Sequence, residues 1–273
     1  MSSLHDGHRL RLREQYIENG LDGLMDHQVL ELLLTYAIPR KDTNELAHRL
    51  LDRFGTLDGV LQADVALLMQ VDGIGHGAAV FLHMQNDLSR RMQLARLKDT
   101  SGRIKLSNPY ESAKYAAAIL SREPYEAVYA ACLNKSGFVQ SVKNIVTGTL
   151  VEAPIYPRHI VEYALLQRAH SVVLMHNHPS GDPTPSKEDC DATSTVRAAL
   201  SSVDIPLLDH LIAGGQYVYS FSADTIMLLQ QGASQPITMT LDEFAVRLRQ
   251  EATIVGETYA ACRPLRFVRE PDQ

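Results

Sequence analysis

Hydrophobic positions fall into two regimes along the chain. Over residues 8–96 they recur at helical spacing; beyond residue 104, short alternating or continuous apolar runs are set between helices. In the first regime Leu10, Leu12 and Tyr16 precede a break at Gly20–Gly23. Val29, Leu30, Leu32, Leu33, Leu34 and Tyr36 then predict a buried helix ended by Pro39. Thr43, with Glu45 and Leu46, opens another helix that runs through Phe54 and closes at Gly55. Asp64 starts a short helix through Met69. After Val71-Asp72-Gly73-Ile74-Gly75 a longer helix reaches about Leu97, with Val80, Phe81, Met84, Leu88 and Met92 near one face. Residues 1–97 therefore read as a small all-helical domain.

Residues 97–103, with Lys98-Asp99-Thr100-Ser101-Gly102, read as a linker. Asn108-Pro109 then begins a helix through Leu120, since proline suits the first helical position. Strands are predicted over Glu126–Leu133 and, past a turn at Gly137, over Phe138–Val146. Pro157 opens a helix whose apolar face holds Ile160, Val161, Ala164 and Leu165. Val172-Val173-Leu174-Met175 is a continuous apolar run, read as a buried strand. A proline-rich loop over 179–185, a helix from Ser186 to Leu200, and a hairpin of Ile205–Ala213 with Tyr217–Phe221 around Gly214-Gly215 complete an α+β (mixed α/β) domain over 104–222. Residues 223–273 form a C-terminal extension, with an amphipathic helix expected over Leu241–Ile254.

Composition narrows the class. An apolar share of 45% argues against wholesale disorder, and no apolar run approaches the ~20 residues needed to span a bilayer. The net charge of −6 is evenly spread: residues 1–100 hold 11 Lys and Arg against 14 Asp and Glu, and the remainder 15 against 18. Neither half carries the basic footprint expected of a dedicated nucleic-acid binder. Cys132, Cys190 and Cys262 are odd in number and far apart, which suggests a reducing compartment. The first residues show no secretory pattern, and a cytoplasmic protein is expected.

The chemistry concentrates in residues 171–189. His176 and His178 sit at i and i+2 at the end of a predicted strand, a spacing that turns both imidazoles to one side. Pro179, Pro183 and Pro185 stiffen the connection to Ser186. Asp189 follows in the first helical turn, where its carboxylate can swing back toward the histidines. Two nitrogens and one oxygen make a three-ligand site with a fourth position for water, the pattern of a hydrolytic zinc centre. Ser186-x-x-Asp189 is equally a capping box that satisfies orphan helix N–H groups, and the two roles are compatible.

His176-Asn177-His178, seven residues, Ser186, two residues, Asp189 matches the H-x-H-x7-S-x2-D pattern of JAMM/MPN+ metalloproteases. The longer string His176-Asn177-His178-Pro179-Ser180-Gly181-Asp182-Pro183-Thr184-Pro185-Ser186 resembles the RadC branch, as do Gly148-Thr149, Pro157-Arg158 and Leu207-Leu208-Asp209-His210. The resemblance implies a JAMM/MPN-like domain with a central mixed sheet flanked by helices. It implies a Zn²⁺-dependent hydrolase acting on a peptide or protein, with Ser186 stabilising the oxyanion. It also directs the search for a general-base glutamate to five residues before Gly148-Thr149. That position holds Lys143, a cation that would repel the metal, and Glu152 is the nearest downstream carboxylate to substitute.

Other features carry paired readings. Asp209 and His210 lie in an apolar strand, as a core histidine with its partner or as residues that orient a metal ligand. A Ser or Cys hydrolase built on His210 and Asp209 lacks a nucleophile elbow. Cys190 reads as a packed thiol. Val71-Asp72-Gly73-Ile74-Gly75 resembles the helix-hairpin-helix turn found in RadC proteins, where Gly73 and Gly75 would allow backbone N–H groups to meet a DNA phosphate; it serves equally as a structural turn. Arg9, Arg11 and Arg13 do not share one helical face and read as solvated surface. An enzyme is the first expectation; a DNA-associated accessory protein with a non-catalytic metal site is the alternative, favoured by Lys143.

Overall fold

A computed structural model describes residues 4–250, apart from 40, 122, 124, 148–155 and 231–234. Its first part is helical: α1 (Leu4–Asn19), α2 (Asp26–Ala37), α3 (Asn44–Phe54), α4 (Leu57–Gln62), α5 (Val65–Leu68) and α6 (His76–Arg96). The core formed here joins Leu30 and Leu34 of α2 to Leu46, Ala47 and Leu50 of α3, Val60, Leu68, and Ala79 and Leu82 of α6. Gly55 ends α3 at φ 83°, a conformation a side chain resists. Helix α4 was not visible in the apolar spacing because it is short and contains Gly59. It forms because the Thr56 hydroxyl caps it, accepting from the Gly59 N–H at 3.0 Å.

Two surface expectations change. On α6 the inner face is Ala78, Ala79 and Leu82, whereas Val80, Met84, Leu88 and Met92 are about half exposed. The small alanines bring α6 close to its neighbours, and that contact, rather than the longer side chains, sets its rotation. Arg9 and Arg13 are engaged rather than merely solvated. The Arg9 guanidinium donates to the carbonyls of Ile38, Pro39 and Lys41, just past α2, and Arg13 lies over the Tyr36 ring.

The second part wraps helices about one mixed sheet. After α7 (Pro109–Leu120) come β1 (Ala127–Leu133), β2 (Val139–Thr147), α8 (Pro157–Leu166), β3 (Ser171–Asn177), α9 (Lys187–Ser201), β4 (Leu207–Gly214), β5 (Tyr217–Ser220), β6 (Thr225–Leu228) and β7 (Ile237–Met239). The strand order is β2-β1-β3-β4-β5-β6-β7. Among the described residues only the β3–β4 pairing is parallel, and α9 makes that crossover. Strand alternation divides the core. Ala131, Leu133, Val173, Met175 and Leu211 face α7. Ala130, Cys132, Val172 and Leu174 face α8 and α9. β3 is buried along its whole length, which explains its unbroken apolar run. β6 and β7 are too short to leave a periodicity and depend on pairing, β6 with β5 and β7 with β6. Residues 241–250 are helical, and the remainder of the expected C-terminal helix lies outside the described residues.

Candidate metal centre

The site forms where β3 ends. His176 occupies the strand's α8/α9 face, level with Val128 of β1 and Ile212 of β4. His178 lies just beyond the strand and donates its backbone N–H to the Ala213 carbonyl at 2.8 Å, which keeps it alongside β4. The chain then turns at Gly181, whose φ of 86° suits glycine. Asp182 presents its carbonyl to His178 Nδ1 at 2.8 Å. Ser186 caps α9: its hydroxyl accepts from the Asp189 N–H at 3.1 Å and donates to Asp189 Oδ2 at 2.6 Å, while its own N–H reaches the same oxygen at 2.8 Å. The capping box is present, and it turns the carboxylate so that Oδ1 faces His176 and Oδ2 faces His178.

Three side chains converge. His176 Nε2 and His178 Nε2 are 3.0 Å apart; Asp189 Oδ1 is 3.2 Å from the first and Asp189 Oδ2 3.4 Å from the second. A tetrahedral zinc ion with bonds of ~2.0–2.1 Å has ligand-to-ligand edges of about 3.3 Å. The three residues therefore stand close enough to bind one metal ion without rearrangement. Their hydrogen bonds supply the second fit test. Thr193 Oγ1 donates to the Asp189 carbonyl at 2.6 Å, so it accepts from His210 Nδ1 at 2.6 Å. His210 Nε2 must then accept from His176 Nδ1 at 2.8 Å. His178 Nδ1 donates to a carbonyl, which only accepts. Both ligand histidines thus carry their proton on Nδ1 when neutral, and two Nε2 lone pairs face each other beside a carboxylate. That arrangement calls for a proton or a cation between them.

The titration pattern agrees. Burial holds the His176 imidazole below its ordinary value and His210 well below it. For His178, burial is outweighed by Asp189 and the Asp182 carbonyl, and its value rises. Burial would raise the Asp189 carboxyl, but hydrogen bonds from His176 and His178 pull it far below the usual carboxylate range. A second carboxylate also acts on both imidazoles: Glu126, half-buried just before β1, raises the values of His176 and His178. Glu126 stands two residues before Val128, the β1 partner of His176, and so belongs to the same sheet face.

The carboxylate that the fold brings to the face of His176 is thus Glu126, whereas position 143 holds a lysine. Lys143 shares the face of His176, but its ammonium lies over the Tyr163 ring at 5.5 Å, in a cleft of about 280 Å³ lined by Ile145, His159, Glu162 and Leu166. Glu152 and Gly148-Thr149 lie outside the described residues. His210 Nε2 lies 2.8 Å from His176 Nδ1, and its ring stacks on Phe221 at 5.2 Å. Asp209 does not bind the His210 ring: successive strand residues face opposite sides. Its carboxylate instead accepts from the backbone N–H groups of His210 and Ser222 and from the Ser220 hydroxyl. A hydrolase dyad of His210 with Asp209 is thereby removed. Cys190 is exposed rather than packed. Gly73, at φ 94°, and Gly75, which caps α6, belong to a turn whose Val71 and Ile74 plug the helical core. Thr193, which completes the relay, was legible as Asp189 plus four on one helix face but was not singled out.

A three-layer α/β domain with a His-His-Asp cluster at the end of a central strand defines a JAMM-type metallohydrolase fold. Comparison with known proteins gives the family. The RadC-like JAB domain family matches residues 106–226, and the UPF0758 N-terminal family matches residues 7–80. UPF0758 protein FN0909 of Fusobacterium nucleatum subsp. nucleatum is 35% identical over 221 residues, covering 80% of this chain and 95% of the relative. UPF0758 protein SPO0054 of Ruegeria pomeroyi is 35% identical over 224 residues, covering 82% and 99%. A UPF0758 protein of Rhodobacter capsulatus is 34% identical over 216 residues, covering 79% and 100%. The chain belongs to the UPF0758 family and carries a RadC-like JAB domain.

Proposed function

We propose that this protein is a zinc-dependent hydrolase that cleaves a peptide-like carbonyl bond, with a peptide or protein as substrate. One observation carries the reading. Two imidazoles and a carboxylate converge with both Nε2 atoms turned inward, and a further carboxylate, Glu126, stands within electrostatic reach. The mixed nitrogen and oxygen donor set favours zinc among divalent ions. A zinc ion held by His176, His178 and Asp189 would supply a water of lowered pKa and polarise the substrate carbonyl. Glu126 accepts the proton of the attacking water and returns it to the leaving nitrogen. The single O–H of Ser186 is donated to Asp189 Oδ2 at 2.6 Å, and it would turn from that carboxylate to the oxyanion as negative charge develops there. His210 and Thr193 hold the His176 ring in the tautomer that leaves Nε2 free. Among the described residues no helix is long and apolar enough to cross a membrane.

The test is metal analysis joined to hydrolysis. The purified protein should hold one zinc per chain, and Asp189→Ala should lose it without unfolding. Against a panel of peptide and isopeptide substrates, Glu126→Gln should keep the zinc and lose at least ~10²-fold in kcat, the scale of general-base catalysis. A metal-free wild type, or undiminished turnover in Glu126→Gln, would overturn the reading.

A further inference from the structure

Between the two ligand histidines lies a residue that takes no part in binding the ion. Asn177 is the last residue of β3, and strand alternation sends its side chain to the face opposite His176. It is buried there at 7% exposure, under the connector from α7 to β1. Its amide spends both donors and an acceptor on that connector. Oδ1 accepts from the Ala127 N–H at 2.9 Å. Nδ2 donates to the Glu123 carbonyl at 3.1 Å and to the Tyr125 carbonyl at 3.0 Å. These three backbone groups bracket Glu126 on both sides.

We propose that Asn177 is a positioning residue that fixes Glu126 over the metal centre, so that one residue of β3 sets the base in register with the two ligands beside it. This rests on the hydrolytic reading above. Regular pairing of β1 with β3 reaches only to Val128 opposite His176. Ala127 and the residues before it lie past that rung, where a strand end frays and its carboxylate swings. The Asn177 amide replaces the missing ladder bonds, and the Tyr129 hydroxyl bonds the Glu123 carboxylate to anchor the same segment. A base must be held within about 0.5 Å of its working position to act efficiently. Only an amide fits this place: aspartate loses both donors and sets a charge against two carbonyls, and an apolar side chain leaves three backbone groups without this partner, the buried Ala127 N–H among them.

Cobalt(II) in place of zinc gives a readout independent of turnover. The pH midpoint of the cobalt visible spectrum would be measured for wild type, Glu126→Gln, Asn177→Ala, Asn177→Asp and the double variant Glu126→Gln/Asn177→Ala. Glu126→Gln, which removes a negative charge beside the ion, should lower the midpoint. Asn177→Ala should move it the same way by at least half as much and keep cobalt affinity within about threefold. The double variant should move no further than Glu126→Gln. A midpoint unmoved by Asn177→Ala, or a further shift in the double variant, would overturn the inference and leave the hydrolytic reading standing. Loss of cobalt from both Asn177 variants would also overturn it, because a residue acting on Glu126 leaves the three ligands in place. If wild type binds no cobalt, or Glu126→Gln leaves the midpoint where it was, the hydrolytic reading falls and takes this inference with it.

Discussion

A proton and a divalent cation compete for the same few ångströms between His176, His178 and Asp189. Without metal, His178 is the better proton acceptor of the two imidazoles, since its value is raised by Asp189 and the Asp182 carbonyl while burial lowers that of His176. The sign of the pH dependence follows. The His178–Asp189 ion pair stabilises the metal-free protein below the unfolded histidine's value and fades as pH rises through the raised folded one. On the acid side it fades as pH falls below the ordinary carboxylate range toward the depressed value of Asp189. Metal binding runs the other way, because the His178 proton must leave. Apparent zinc affinity should be flat above the raised His178 value and fall about tenfold per pH unit below it. Chelator competition between pH 5 and 8 measures this. A pH-independent affinity would show that no proton is displaced and would contradict the raised value of His178.

The elements place these side chains by backbone contact as much as by packing. The loop that follows His178 lies against the end of β4: a Cβ at Gly214 would come within 2.7 Å of the Gly181 carbonyl oxygen and the Pro183 nitrogen. None of those backbone atoms can step aside. Gly214→Ala should therefore displace Asp182, release His178 Nδ1 and weaken zinc binding by roughly 10–100-fold, the scale of losing a ligand's orienting partner. Isothermal titration beside a circular dichroism spectrum checks this; native affinity in a folded variant would refute it. The same element scale separates what the sequence disclosed from what it hid. The i, i+2 histidines on a strand end and Asp189 at the third position of a capped helix are local patterns, and the strand and helix signals around them are local too. Glu126 is not. It joins the site only because β1 pairs with β3 about fifty residues away, and a linear count from Gly148-Thr149 leads to Lys143 instead. The polar run at β2, exposed along much of the sheet edge, gave no clue to which residue faces the metal.

At the scale of the whole molecule the chain holds hydrophobic cores on either side of a single connecting helix. One gathers α2, α3 and the first half of α6; the others lie on the faces of the sheet. α6 reaches across, with Leu94 and the following Leu97 packed on the α7 side of the sheet and Asn86 donating to the Ser121 carbonyl at 3.1 Å. Every ligand and orienting group of the metal centre belongs to the sheet region: β3, the loop after it, α9 and β4. A metal ion that binds only the folded site stabilises whatever unfolds together with it, by about 2.7 kcal/mol at a hundredfold excess over Kd. If the helical core opens independently, that stabilisation stops at α6. Hydrogen exchange with and without saturating zinc should then show the most protected amides of β3, β4 and α9 slowing by about 100-fold, and those of α2 and α3 changing by less than about twofold. Slowing of both sets by the same factor would mean that the connecting helix makes the cores one cooperative unit, so that metal occupancy at the end of β3 is felt as far as the turn at Gly73.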